Sequence, residues 1–178
     1  MGCFTRSLRY AETAMHHTLV KSALMVLLVL PAGVMAHPHM FIDGEVQFNF
    51  NAEGQVTGVT QTWIFDELFS SYAKQGLPET ADNRPPQDAL DDIGQSWIEA
   101  LADPMSHYFT TIRAGKRDVP VVGAGHVSVD WNTETAQLSL QTDLPFLRPV
   151  NARDQPGVVS VADPTLYVAY SFNGKAAI

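Results

Sequence analysis

The chain is nearly devoid of cysteine: one in 178 residues, Cys3, close to the N-terminus. No internal disulfide can staple the fold, and a cysteine-based structural zinc site is excluded. Positive charge is also scarce, with 11 Lys+Arg against 19 Asp+Glu. That balance argues against nucleic acid or anionic lipid as a partner. Enzyme signatures are missing. There is no glycine-rich phosphate loop, no Gly-x-Ser-x-Gly elbow and no His-Glu-x-x-His helix. No catalytic residue is nominated, and the chain reads as a non-enzyme. The longest apolar run, Ala23 to Leu30, is too short for a membrane span, which needs about 20 such residues.

What is present begins with an export signal over residues 1–36. Arg6, Arg9 and Lys21 form a basic leader. Ala23 to Leu30 is its apolar core, and Pro31, Gly33 and the small Ala36 precede the expected cut. An uncleaved anchor helix over Leu19 to Met35 is the rival reading, and Pro31 and Gly33 oppose it. The leader carries three of the basic residues and one of the acidic ones, which leaves 8 Lys+Arg, 18 Asp+Glu and a net charge of −10. Residues 37–178 are one domain by size, expected in the periplasm. Trp63, Trp97 and Trp131 give it core material in place of disulfides.

The periodicities predict an α+β fold. Phe41 to Phe50 and Gln55 to Phe65 alternate as strands around an Asn51-Ala52-Glu53-Gly54 turn. Asp66 caps a short helix, Glu67 to Gln75, with Leu68, Phe69 and Tyr72 as its apolar stripe. Leu90, Ile93, Trp97 and Leu101 recur at helical spacing within Asp88 to Ala102, with Asp88 as a cap. Strands are predicted over Tyr108 to Arg113, Val119 to Val122, His126 to Trp131, Gln137 to Asp143, Val158 to Val161 and Leu166 to Phe172. Pro145 to Gly157 reads as a long loop. The expectation is an antiparallel sheet, with a two-helix insertion after the first hairpin packed on one face.

The chemistry concentrates in His37-Pro38-His39-Met40-Phe41-Ile42-Asp43. Cleavage after Ala36 makes His37 the first residue, so its α-amine and imidazole are both available to a metal. In extended chain His37, His39, Phe41 and Asp43 share one side. Two imidazoles and a carboxylate match a common three-ligand set. Pro38 excludes the amino-terminal copper/nickel clasp, which needs a backbone N–H at that position to deprotonate. A histidine brace survives this objection. The rival reading is of two polar residues on a loose terminus.

Partners for these donors are few. His126 reads either as a distal ligand or as part of a solvated polar face with Ser128 and Asp130. His107 reads as a surface residue. Asp66 is chiefly a helix cap, and also a carboxylate ligand or an acceptor for a ligating imidazole N–H. Asp163, in Ala162-Asp163-Pro164, is first a turn residue.

The opening H-P-H-M-F-I-D, W-I-F-D-E-L-F-S at Trp63 to Ser70, H-Y-F-T-T-I-R at His107 to Arg113 and D-P-T-L-Y-V-A-Y at Asp163 to Tyr170 together resemble a bacterial exported family of unknown function. It is domain of unknown function number one thousand and seven, labelled the periplasmic component of an uncharacterised ABC-type transport system. Its members often sit beside nickel/cobalt-type permeases. The resemblance spans nearly all of Ala36 to Phe172. It implies handling of a divalent transition metal outside the cytoplasm, with His37, His39 and Asp43 in the motif and Asp66 as a second matched acid.

The expectation is therefore a periplasmic accessory protein that is not membrane-embedded after cleavage. It would bind nickel, cobalt or zinc through His37 and His39, with Asp43, Asp66 or His126 completing the shell, and assist an inner-membrane metal permease or ABC-type transporter. Copper ranks behind, since geometry and supply must override its stronger intrinsic affinity. Two alternatives stand. One is a non-metal interaction module docking on an envelope transporter through the helices or through Phe146, Leu147 and Val150. The other is a copper histidine-brace redox enzyme.

Overall fold

The computed structural model describes residues 39–172 except 152, 154 and 155. The expected export signal, His37 and Pro38 lie outside the described residues. β1 (Met40–Phe50) and β2 (Val56–Phe65) form the first antiparallel hairpin, in register from Ile42 opposite Phe65 to Phe48 opposite Val59. The turn is built by Asn51, whose Oδ1 accepts from the Gln55 N–H at 2.8 Å. Two helices follow, α1 (Glu67–Lys74) and α2 (Gln87–Leu101). Then come β3 (Thr110–Ala114), β4 (Arg117–Asp118), β5 (Val127–Asn132), β6 (Gln137–Val150), β7 (Gly157–Val161) and β8 (Val168–Ser171). The α+β expectation, with both helices after the first hairpin, holds.

The strands divide into two sheets. One runs β5-β6-β2-β1-β8 and the other β4-β3-β7. Every pairing is antiparallel except β1 with β8, which is parallel over Met40–Asp43 and Val168–Ser171. β8, the last strand among the described residues, thus lies beside the start of β1.

The predicted α2 stripe faces inward. Leu90 is fully buried, and Ile93, Trp97 and Leu101 pack against Ile42, Trp63, Phe65, Val129, Leu138 and Leu140. Side chains of this size contribute about 1.5–3 kcal/mol each when fully buried. A second cluster, with Val59, Ile98, Tyr108, Ile112 and Leu144, joins the two sheets. Buried Gln61 bridges them, since its Nε2 donates to Thr110 Oγ1 at 2.9 Å, while its Oε1 accepts from Trp63 Nε1 on its own strand at 3.1 Å.

Several local expectations change. Val119 to Val122 is not a strand: the short strand there is Arg117–Asp118, and Val121 makes only an isolated bridge to Phe146. In α1, Leu68 and Tyr72 are exposed, and the inward face is Phe69, Ser70 and Ala73. Ser70 earns its burial by hydrogen bonding, with its hydroxyl accepting from the Leu138 N–H at 3.0 Å. The N-cap of α2 is Pro86 rather than Asp88, whose carboxylate takes the Ala89 N–H inside the first turn. Pro145 to Val150 is strand, not loop, so Phe146 is buried. A register break between Val56 and Gly58 lets β6 pass there, and a Cβ at Gly58 would lie 2.9 Å from Leu144 O. Finally, His107–Phe109 is a left-handed turn, with φ of 44°, 54° and 48°, and β3 begins only at Thr110. Such backbone costs about 1–2 kcal/mol per residue. Burial of Tyr108 offsets it, with the Tyr108 hydroxyl accepting the Ala124 N–H at 3.1 Å.

Candidate functional site

β1 begins, β2 ends and α1 starts at one place, and a concavity of about 650 Å³ opens there. Strand alternation sets its first wall. Met40, Ile42 and Gly44 turn inward, so His39, Phe41 and Asp43 share the exposed side. All three line the concavity, as do Asp66, Glu67 and Leu68 at the head of α1, Ile64 on β2 and Gln137 on β6.

Asp66 is the corner post. Its Oδ1 accepts from the Phe69 N–H at 2.8 Å, capping α1. Its Oδ2 accepts from the Phe41 N–H at 2.7 Å, and its own N–H donates to Phe41 O at 3.0 Å. One carboxylate thus ties the helix start to the first strand. A peptide-bond hydrogen bond to a charged acceptor contributes about 1.5–3 kcal/mol. Asp43 is held from the other side, where its Oδ1 accepts from the Ser171 hydroxyl at the end of β8. A Cβ at Gly44 would meet the Phe172 ring at 2.6 Å, so glycine lets that ring lie against β1 beside Asp43.

His39 is exposed and sits against the β7–β8 connection. Its N–H donates to Tyr167 O at 2.8 Å, and its imidazole contacts the Tyr167 ring, centroids 5.0 Å apart and planes inclined by 34°. That connection is built by Asp163, which is buried. Its carboxylate accepts from Thr165 N and Oγ1, Tyr167 N and Val168 N at 2.7–3.0 Å. Burial pushes the Asp163 carboxyl upward, but the hydrogen bonds from Thr165, Val168 and Tyr167 outweigh it and hold the pKa below its ordinary 3.8. The turn role read for Asp163 fits this network.

The structure brings His39, Asp43 and Asp66 to one concavity and leaves His126 away from it. His126 is exposed at the entry to β5, on the opposite edge of the sheet, with its carbonyl accepting the Asp143 N–H. Asp143 pairs with Thr60 and Thr60 with Gln47, so His126 is also displaced along the strands from His39. His37 lies outside the described residues. Among the described residues, no group of three or more His, Asp, Glu or Cys side chains converges closely enough to hold a metal ion. The donor chemistry still fits a borderline divalent ion, an imidazole beside carboxylates already oriented by hydrogen bonds.

Glu67, Gln137, Tyr167 and Ser171 were not singled out from the sequence. Glu67 directly follows the Asp66 cap, so its place at the head of α1 is readable locally. Gln137 reaches the concavity through the long-range pairing of β6 with β2, and Tyr167 and Ser171 arrive with β8, whose pairing with β1 no local pattern specifies.

A family model described as "Protein of unknown function (DUF1007)" matches residues 22–178. An uncharacterized protein of Haemophilus influenzae is 26% identical over 156 residues, which is 88% of this chain and 72% of that protein. No solved structure matches the chain. No helix among the described residues is long and apolar enough to cross a membrane.

Proposed function

We propose, for a chain that belongs to the DUF1007 family of proteins of unknown function, that the concavity binds a divalent transition metal. The protein is then an exported accessory that offers nickel, cobalt or zinc to a membrane permease or ABC-type transporter. One observation carries the reading. Strand parity and the Asp66 bridge put His39, Asp43 and Asp66 around a single opening, although Asp66 is 23 positions beyond Asp43 in the chain. A second imidazole, His37, lies two residues before His39 in the sequence. Acidic Glu67 adds negative charge to the same opening.

The roles divide by chemistry. His39 and His37 would supply nitrogen donors. Asp43 would supply oxygen, oriented by the Ser171 hydroxyl. Asp66, with both oxygens already accepting backbone N–H groups, is suited to holding the wall and adding charge.

Titration of the purified protein with Ni(II), Co(II) and Zn(II), alongside sequencing of its first residues, tests the reading. Outer-shell partners alone are worth roughly 10–100-fold in metal affinity, so His37→Ala with His39→Ala is expected to exceed that loss. Unchanged binding by the double variant would sink the metal site, and a start other than His37 would sink the export account.

A second reading has its own observation. Leu68 and Tyr72 of α1 are 77% and 73% exposed, and Phe41, which lines the concavity with Leu68, is 57% exposed. Such a patch is what a docking module presents. Of Phe146, Leu147 and Val150, Leu147 alone is exposed: Phe146 is buried and Val150 is half-buried against the second core cluster. Partner binding abolished by a chelator counts against this reading.

A further inference from the structure

We propose that Tyr167 is a positioning residue for the His39 imidazole, an assignment that rests on the metal-binding reading. His39 stands just ahead of β1, where an imidazole with two rotatable bonds would ordinarily sample many orientations. Here it meets a built platform. The Tyr167 ring lies against it at 5.0 Å, and Tyr167 O accepts from both His39 N–H, at 2.8 Å, and Met40 N–H, at 3.3 Å. The platform is itself fixed, because the buried Asp163 carboxylate takes the N–H groups of Tyr167 and Val168 at 3.0 and 2.9 Å. β8 then continues in parallel beside Met40 to Asp43.

The geometry suits a ligand. A metal binds imidazole in the ring plane, at a nitrogen on the perimeter. An aromatic ring against the imidazole face restricts rotation and leaves both nitrogens available. Tyr167 is 54% exposed, so its ring fills no core position. Its ring contact is with the His39 imidazole. Immobilising one such side chain on binding weakens affinity by about 0.5–1.5 kcal/mol, which is about two- to tenfold. A donor already restrained avoids that loss.

The test uses the protein expressed from its complete gene, in the processed form the cell makes. Tyr167→Ala, Tyr167→Phe and the unaltered protein are titrated with Ni(II) and Zn(II). Their metal-free His39 ring protons are followed by NMR, assigned by their loss in His39→Gln. Tyr167→Ala is expected to bind about two- to tenfold more weakly at unchanged melting temperature, and its His39 ring protons to move as the aromatic shielding disappears. Tyr167→Phe is expected to restore both, since the ring and not the hydroxyl makes the contact. If the unaltered protein binds metal and Tyr167→Ala binds it equally well, the assignment is overturned and the metal site stands. Unmoved His39 resonances in Tyr167→Ala, or failure of Tyr167→Phe to restore them, also overturn it. If the unaltered protein binds neither metal, the metal reading falls and this assignment falls with it.

Discussion

Two aspartates hold the segments that meet at the concavity, and they differ in what each has left to offer. Asp163 is 5% exposed, and its carboxylate is ringed by donors from Thr165, Tyr167 and Val168. Asp66 is half-buried, takes one backbone N–H on each oxygen and lines open space. Both use the same chemistry, a charged acceptor for backbone N–H groups. A saturated, enclosed carboxylate can only shape the chain. A carboxylate with one donor per oxygen and a solvent-facing side can shape the chain and still present charge to a cation. The difference places architecture at Asp163 and candidate function at Asp66.

The largest expected effect tests the architectural half. Asp163→Ala strips acceptors from three backbone N–H groups at once, and leaving such groups unpaired costs about 1–3 kcal/mol apiece when fully buried. Water reaches part of this loop, so a total of about 2–4 kcal/mol is expected in urea denaturation. The pH dependence has a definite sign. A folded pKa below the ordinary 3.8 means that the unfolded chain binds the proton more readily. The stability from Asp163 is therefore present above that ordinary value and drains away as pH falls below it. Equal acid sensitivity in Asp163→Ala and the unaltered protein would break the comparison at its firmer end.

Asp66→Asn comes next. Asparagine ranks beside aspartate as a helix cap, so the Phe69 N–H keeps an acceptor. The amide cannot serve the Phe41 N–H as well without turning its own NH₂ toward another donor. A stability loss of about 1 kcal/mol is expected by thermal or urea unfolding. Metal affinity, in contrast, is expected to fall by roughly tenfold or more, because the wall loses its charge. Asp163→Asn should show the reverse weighting, with the greater loss in stability. Metal affinity unaltered in Asp66→Asn would reduce Asp66 to a cap.

These contrasts also mark what the sequence reveals and what it hides. The Leu90, Ile93, Trp97, Leu101 stripe announces α2 because 3.6-residue spacing maps directly onto one buried face. The alternation after His39 puts His39 and Asp43 on one side for the same kind of local reason. Asp66 reads as a cap from its place before Glu67-Leu68-Phe69. Periodicity alone misleads in α1, where Leu68 and Tyr72 point out and Ser70 points in. A hydrogen bond to the Leu138 N–H, 68 residues away, decides that face. The neighbour of β1 is equally hidden. Parallel pairing with β8 closes more than a hundred residues of chain, and no turn signal encodes such a contact. So the lining of the concavity supplied by β1 and α1 is legible, while Tyr167 and Ser171, which hold His39 and Asp43 from behind, are not.

The smallest expected effect lies beside Asp163 and sharpens the claim that its carboxylate is fully engaged. Tyr170 packs edge-on against Trp63, ring centroids 5.4 Å apart, and its hydroxyl is buried without a hydrogen-bond partner among the described residues. Burial first, and the nearby Asp163 charge second, push this phenol well above its ordinary value, so it stays neutral. If Asp163 already has its donors, the Tyr170 hydroxyl gains nothing from being there and bears an uncompensated desolvation. Tyr170→Phe removes that hydroxyl and keeps the ring against Trp63. The expected change runs from neutral to a gain of about 1 kcal/mol in urea denaturation. A loss of about 1 kcal/mol or more would mean that the phenol is hydrogen-bonded after all, through a bridging water to the Asp163 carboxylate. Asp163 would then have spare acceptor capacity, and the distinction between the saturated and the open aspartate would need redrawing.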